Sequence, residues 1–115
     1  MTIIGVGIDV VDIKDIDKAR FKTRLAEFFL TAKEVAAVPT GSMRAQHLAS
    51  RFAVKEAVIK AFPLPLKPHE FRVEKVGSKP CIVFTKKKYN AEYAVLISLT
   101  HTTTVAAAVA IVTTH

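Results

Sequence analysis

Tryptophan is absent from this sequence, and a single cysteine, Cys81, leaves no partner for a disulfide within the chain. A small secreted scaffold held by bridges is thereby excluded. Glycine occurs only four times in 115 residues, too rarely for a low-complexity or collagen-like chain. No apolar run approaches the ~20 residues that a membrane-crossing helix needs. The apolar stretch from Met1 to Val11 has no basic leading segment and contains Asp9, with Asp12 directly after it, so it does not read as a secretory signal. These gaps point to a cytoplasmic protein with no membrane role. Four histidines and one cysteine show no zinc-ligand spacing. Phosphate-loop and dinucleotide glycine patterns are missing as well.

Half of the residues are hydrophobic, enough for one folded domain spanning 1–115 and too few residues for a second core. Lysine and arginine number 17 against 10 acidic residues, a formal charge of +7. Such an excess draws anions: nucleic acid, a lipid surface, a phosphorylated small molecule or an acidic protein. Charge alone does not choose among them.

Along the chain, Thr2 to Val11 alternates as a strand. Ile4, Val6, Ile8 and Val10 share one face, read as the core face, while Gly5, Gly7 and Asp9 share the other, left open for a chain or ligand to approach. Asp12 to Leu30 suggests one or two short helices, made basic by Lys18, Arg20, Lys22 and Arg24. Thr31 and Glu34 have capping-box spacing. Ser42 is a candidate cap for a long helix reaching Phe62, which Pro63 ends. Pro63, Pro65 and Pro68 stiffen the connector that follows. Strands are expected at Phe71–Val73 and at Cys81–Phe84, and a short helix over Lys86–Tyr93. Val95–Thr100 and Val105–Val112 should form a hairpin around His101–Thr104. One strand, then helices, then mostly antiparallel strands make an α+β domain.

Three features stand out chemically. Asp9 is a carboxylate in an apolar strand, costly to bury unless paired, hydrogen-bonded or metal-bound. In the long helix, Leu48, Phe52, Ile59 and Phe62 form an apolar stripe, while Glu56 and Lys60 share another sector beside Ala49 and Ala53. An i,i+4 surface pair is the plain reading of Glu56 and Lys60. The alanines, however, would let a bulky ligand near the helix backbone. Arg51 and Lys55 lie on the other side of the stripe. Finally, Ser98-Leu99-Thr100-His101-Thr102 closes an apolar strand with a histidine. Cys81 sits in an expected buried strand with no neighbouring base.

Together, Gly5-Val6-Gly7-Ile8-Asp9-Val10-Val11, Arg51-Phe52-Ala53-Val54-Lys55-Glu56-Ala57-Val58-Ile59-Lys60-Ala61 and Ser98-Leu99-Thr100-His101-Thr102 resemble the holo-acyl-carrier-protein synthase group of phosphopantetheinyl transferases. The resemblance runs from about residue 3 to 112, and the middle block is its specific part. It implies the 4′-phosphopantetheinyl transferase fold, a mostly antiparallel sheet with one long helix, assembled as a homotrimer with interfacial sites. It also implies that Asp9 and Glu56 hold Mg2+ and that Lys60, with Arg51 and His101, contacts coenzyme A. Asp9, Glu56 and Lys60 would then be the catalytic set. The implied reaction moves 4′-phosphopantetheine from coenzyme A to a serine of an acyl carrier protein or carrier domain, releasing adenosine 3′,5′-bisphosphate. A water on the metal, Glu56 and His101 stay open as the group that takes the serine proton. Asp15 stands where the family often has a basic residue that grips the carrier, and Lys18, Arg20 and Arg24 are the candidates to replace it. Two rivals remain: a nonenzymatic basic domain that binds nucleic acid, and an inactive relative that binds carriers without modifying them. The first leaves Asp9 and Glu56 without a purpose and has no aromatic stacking platform.

Overall fold

A computed structural model describes the backbone of residues 1–17 and 22–115, and side chains outside 17–25. The elements in chain order are β1 (Ile3–Asp12), α1 (Ile13–Asp17), α2 (Lys22–Phe29), α3 (Ala32–Ala36), α4 (Arg44–Ala61), β2 (Phe71–Val76), β3 (Lys79–Phe84), α5 (Lys87–Glu92), β4 (Tyr93–His101) and β5 (Val105–Thr114). Short 3-10 turns precede α4 and β2. Two antiparallel sheets result: a three-stranded sheet ordered β1-β5-β4, and a separate β2–β3 hairpin. The architecture is the expected α+β one, and β4–β5 is the expected hairpin. The basic cluster falls largely outside the described residues, which include neither Lys18 nor Arg20 nor the side chains of Lys22 and Arg24.

Helix α4 lies across one face of the larger sheet, and glycine sets how close it comes. A Cβ on Gly5 would stand 1.8 Å from the Ala61 carbonyl oxygen, and one on Gly7 would stand 2.0 Å from that of Ala57. Two strand residues advance about 6.7 Å and four helix residues about 6 Å, so the two repeats stay in step. Ala49, Ala53, Ala57 and Ala61 are all buried here, facing Ala106, Ala108 and Ala110 of β5 in the same core. Small side chains on both surfaces let strand and helix backbones touch.

This reverses two expectations. The glycine face of β1 is the core face, and what approaches it is the chain's own helix. Ile4, Val6, Ile8 and Val10 point away from α4 and are exposed, Ile8 by 64%. Period-two alternation marks two faces but does not say which is buried, and the shorter side chains won because the helix is so near. The helical alanines likewise meet a strand and not a ligand. The apolar stripe expected at Leu48, Phe52, Ile59 and Phe62 is correspondingly displaced: Leu48, Val54 and Val58 are fully buried, whereas Phe52 and Ile59 are only partly so.

Ser42 does not cap α4. The residue at that position is Met43, with no side-chain hydrogen bond, because Gly41–Met43 forms a 3-10 turn first. Thr31 and Glu34 do form the capping box of α3, each side chain accepting from the other's backbone N–H. An aromatic group of Phe62, Phe84, Tyr89 and Tyr93, with ring centroids 5.0–6.0 Å apart, closes the far end of the core.

Candidate active site

Asp9 sits on the helix-facing side of β1, two residues beyond Gly7, so the close strand–helix contact carries its carboxylate against α4. Lys60 reaches back along the helix, as side chains tilted toward the N-terminus do. Its Nζ lies 3.2 Å from Asp9 Oδ1 and donates to the Ile8 carbonyl at 3.1 Å. The Asp9 side chain is 17% exposed and that of Lys60 53%, so the pair opens to solvent on the lysine side. Among the described residues no other group donates to the Asp9 carboxylate. Glu56 stands one turn before Lys60, partly exposed, with no hydrogen-bond or ion-pair partner among the described residues.

Asp9 and Lys60 are thus joined directly, although the plain sequence reading paired Lys60 with Glu56. The two carboxylates flank one contact, since Gly7 touches Ala57, the residue after Glu56. Among the described residues no three of His, Cys, Asp and Glu cluster as a complete metal cage. Two carboxylates with unfilled lone pairs suit a hard cation that keeps waters and takes its remaining oxygens from a phosphate. The donor set therefore fits magnesium.

The other two expected site residues lie elsewhere. Arg51 and His101 line a cleft of about 840 Å³ together with Gln46, His47, Lys75 and Lys79, and its three cations, Arg51, Lys75 and Lys79, suit it to an anion. The cleft follows β4 and the β2–β3 hairpin, whereas Asp9 and Lys60 belong to the β1 side; β1 and β4 are opposite edges of the sheet. Asp9, Glu56 and Lys60 are not among the residues that line this cleft. Gln46 Nε2 is 2.9 Å from His101 Nε2, tying the hairpin end to α4. Burial lowers the pKa of His47 first, and nearby Arg51 and Lys75 lower it further, against a smaller upward pull from Glu34. Burial also lowers that of Arg51. Cys81 is half-buried in β3 and borders this cleft, where a fully buried position was expected.

Sequence reasoning missed Lys55. It is fully buried, with Nζ 2.8 Å from Glu34 Oε1 and 2.8 Å from the Pro68 carbonyl, and it also donates to the Phe71 carbonyl. The Phe71 ring lies 4.5 Å from the ammonium. Breaking such a buried pair costs about 3–5 kcal/mol, because one charge is stranded. The available signal was Glu34 itself, whose capping role removes it from solvent.

Comparison with known proteins places the chain in one family. The 4′-phosphopantetheinyl transferase superfamily model matches residues 5–111. The chain is 36% identical over 126 residues to a holo-[acyl-carrier-protein] synthase of Mycobacterium bovis, covering 96% of this chain and 97% of that protein. A shorter match to the Desulfovibrio desulfuricans holo-[acyl-carrier-protein] synthase, 46% identical over 61 residues, covers 51% of this chain and 48% of that one. In three dimensions the chain resembles the holo-(acyl-carrier-protein) synthase of Bacillus anthracis, solved in complex with CoA (3′,5′-ADP). That likeness has a TM-score of 0.84 and 27% identity, with both chains wholly covered.

Proposed function

The chain belongs to the 4′-phosphopantetheinyl transferase superfamily, and on that premise we propose that it is a holo-acyl-carrier-protein synthase. It transfers 4′-phosphopantetheine from coenzyme A to a serine hydroxyl of an apo acyl carrier protein or carrier domain. Adenosine 3′,5′-bisphosphate leaves. The observation that carries this reading is the Asp9–Lys60 pair, with Glu56 one helical turn before Lys60 and without a partner among the described residues, on two of the three segments that carry the family resemblance.

Asp9 and Glu56 are the residues that would hold magnesium. Bound there, the ion would neutralise diphosphate charge and favour departure of the bisphosphate. Lys60 supplies a movable ammonium, anchored on the Ile8 carbonyl and free to meet a phosphate oxygen from its exposed side. Arg51 and His101 hold the anionic nucleotide end of coenzyme A through the cationic cleft. Positioning and charge complementarity supply most of the catalysis, because the transferred phosphoryl group needs little covalent help.

These two groups of residues favour an assembly. β1 carries an exposed apolar face of Val6, Ile8 and Val10, continued on β4 by Leu96. A homotrimer formed through this face would bring the β1 edge of one subunit to the β4 edge of the next, completing the site between them. The +7 charge suits an acidic carrier, with Lys18, Arg20, Lys22 and Arg24 as the docking segment.

The deciding experiment is incubation with coenzyme A, magnesium and apo carrier protein, read by intact mass. Addition of ~340 Da, the mass of the transferred group, supports the transferase. Binding of the carrier without the mass increase would mark an inactive relative, and nucleic-acid binding without carrier binding would mark a basic binding domain.

A further inference from the structure

The β2–β3 hairpin has no backbone hydrogen bonds to the larger sheet, yet it supplies one wall of the cationic cleft through Lys75 and Lys79. Its tip is exposed, with Gly77 in the left-handed region at φ 64° making the turn. Something at its base must fix the angle at which it stands from α4.

The Lys55–Glu34 pair occupies that base. Glu34 Oε1 accepts from Lys55 and from the Thr31 N–H, and Oε2 accepts from the Val73 N–H at 2.9 Å. Lys55 donates in turn to the carbonyls of Pro68 and Phe71. Val73 and Phe71 alternate on the inner face of β2, so the two charged groups grip neighbouring backbone points of one strand from α3 and α4. Both side chains are within a few per cent of full burial, where hydrogen bonds are strong and poorly replaced by water. Of the hairpin's other polar ties, Lys33–Glu74 at 3.3 Å is solvent-exposed and weak, while Asn90 exchanges hydrogen bonds of 2.8 and 2.9 Å with the Phe84 backbone and so holds the end of β3 to α5, not to α4.

We propose that Lys55 and Glu34 are positioning residues that dock the β2–β3 hairpin on α4, setting the distance across which Lys75 and Lys79 face Arg51 and His101 around coenzyme A. Neither touches the substrate. The idea rests on the coenzyme A reading of the cleft, but the knot itself is testable without it. Loosening the knot moves one wall of the nucleotide subsite while Asp9 and Lys60, held on the β1 side by the Gly–Ala contact, stay in place. Ground-state binding of coenzyme A is then lost and the chemical step is kept.

The test uses full-length wild type and two variants, Lys55→Met and the charge-balanced Lys55→Met/Glu34→Gln, which avoids stranding a buried carboxylate. For the folded double variant the KM for coenzyme A should rise ~10-fold while kcat at saturating coenzyme A stays within about 2-fold of wild type. An unchanged coenzyme A KM, or an equal loss in kcat, overturns the proposal. Amide hydrogen exchange on wild type gives a measurement that needs no variant. The Val73 N–H should exchange among the slowest in the protein, and those of the hairpin tip far faster. A Val73 amide that exchanges as fast as the tip sinks the knot, even if neither variant folds. Absence of coenzyme A turnover in wild type would instead sink the enzymatic reading.

Discussion

Lys60 Nζ stands 3.2 Å from Asp9 Oδ1, a contact between residues 51 positions apart that exists only because Gly5 and Gly7 let β1 sit on the backbone of α4. A glycine contact of this kind is a condition of the chemistry as well as of the fold. If Asp9 and Glu56 hold the metal, Asp9→Ala and Glu56→Ala should each lower kcat/KM by ~10²-fold or more, with a thermal midpoint close to wild type. Glu56→Gln should keep the shape and lose magnesium affinity. Near-normal turnover of both alanine variants at limiting magnesium would remove the metal from these residues.

Lys60→Ala should weaken coenzyme A binding and slow transfer, by losing the ammonium beside Asp9. Lys60→Arg should restore only part, since a planar fork does not reproduce a compact ammonium on both the Ile8 carbonyl and a phosphate. Calorimetric titration with coenzyme A measures this directly. An alanine variant with wild-type affinity would leave Lys60 as a structural partner of Asp9.

The close strand–helix contact has its own test. Gly7→Ala would place a methyl 2.0 Å from the Ala57 carbonyl oxygen, a backbone atom that cannot swing aside. The expected loss is about 3 kcal/mol or more, at the upper end for overpacking, read by urea denaturation. Gly77→Ala meets no atom within 4 Å but is strained by its positive φ, and should cost about 1 kcal/mol. A Gly7→Ala variant no less stable than Gly77→Ala would contradict the packing described.

What could be read from the sequence divides along physical lines. The α+β class, the β4–β5 hairpin, the α3 capping box and the span of α4 were legible, because each follows from local periodicity or local hydrogen bonding. The buried face of β1 was not. Val6 and Ile8 look like core, and only the approach of a helix 50 residues away makes Gly5 and Gly7 the inner side. The role of Lys55 was missed for the same reason: its three acceptors come from Glu34, Pro68 and Phe71, and no local pattern announces them. Asp9, Glu56 and Lys60 were recognisable as a family pattern, whereas the placing of Asp9 and His101 on opposite edge strands, with Arg51 lining the His101 cleft from the helix that also carries Glu56 and Lys60, required the fold.

His47 gives the cleft a pH dependence. Burial, Arg51 and Lys75 hold its pKa below the ordinary histidine value, so at neutral pH it is uncharged. An anionic ligand favours the protonated form, so coenzyme A affinity should rise as pH falls toward the depressed pKa, with proton uptake on binding. The same depression means that stability contributed above the unfolded pKa is lost as pH falls through the window below it, because the unfolded chain takes up the proton first. Calorimetry at about pH 6 in buffers of different ionisation enthalpy, wild type against His47→Gln, isolates the histidine from the ligand's own phosphate titration. Equal proton uptake in the two proteins would take His47 out of the binding equilibrium.

The apolar face of β1 predicts assembly. Val6, Ile8 and Val10 are each more than 60% exposed on one chain, and Leu96 continues the patch across β5. A contiguous apolar surface of this kind, on a strand that is also an unpaired sheet edge, is a liability unless another copy covers it. In the proposed trimer it is covered, and the β1 half-site of one subunit meets the cationic cleft of the next. Ile8→Lys puts a charge in the middle of that face without touching α4, so the monomer fold should survive. The variant should elute as a monomer where wild type is trimeric, measured by light scattering. Its transfer activity should fall together with the trimer population, because each site needs two subunits. A variant that is monomeric yet fully active would confine the whole site to one chain, and a wild type monomeric at working concentration would rule out the assembly itself.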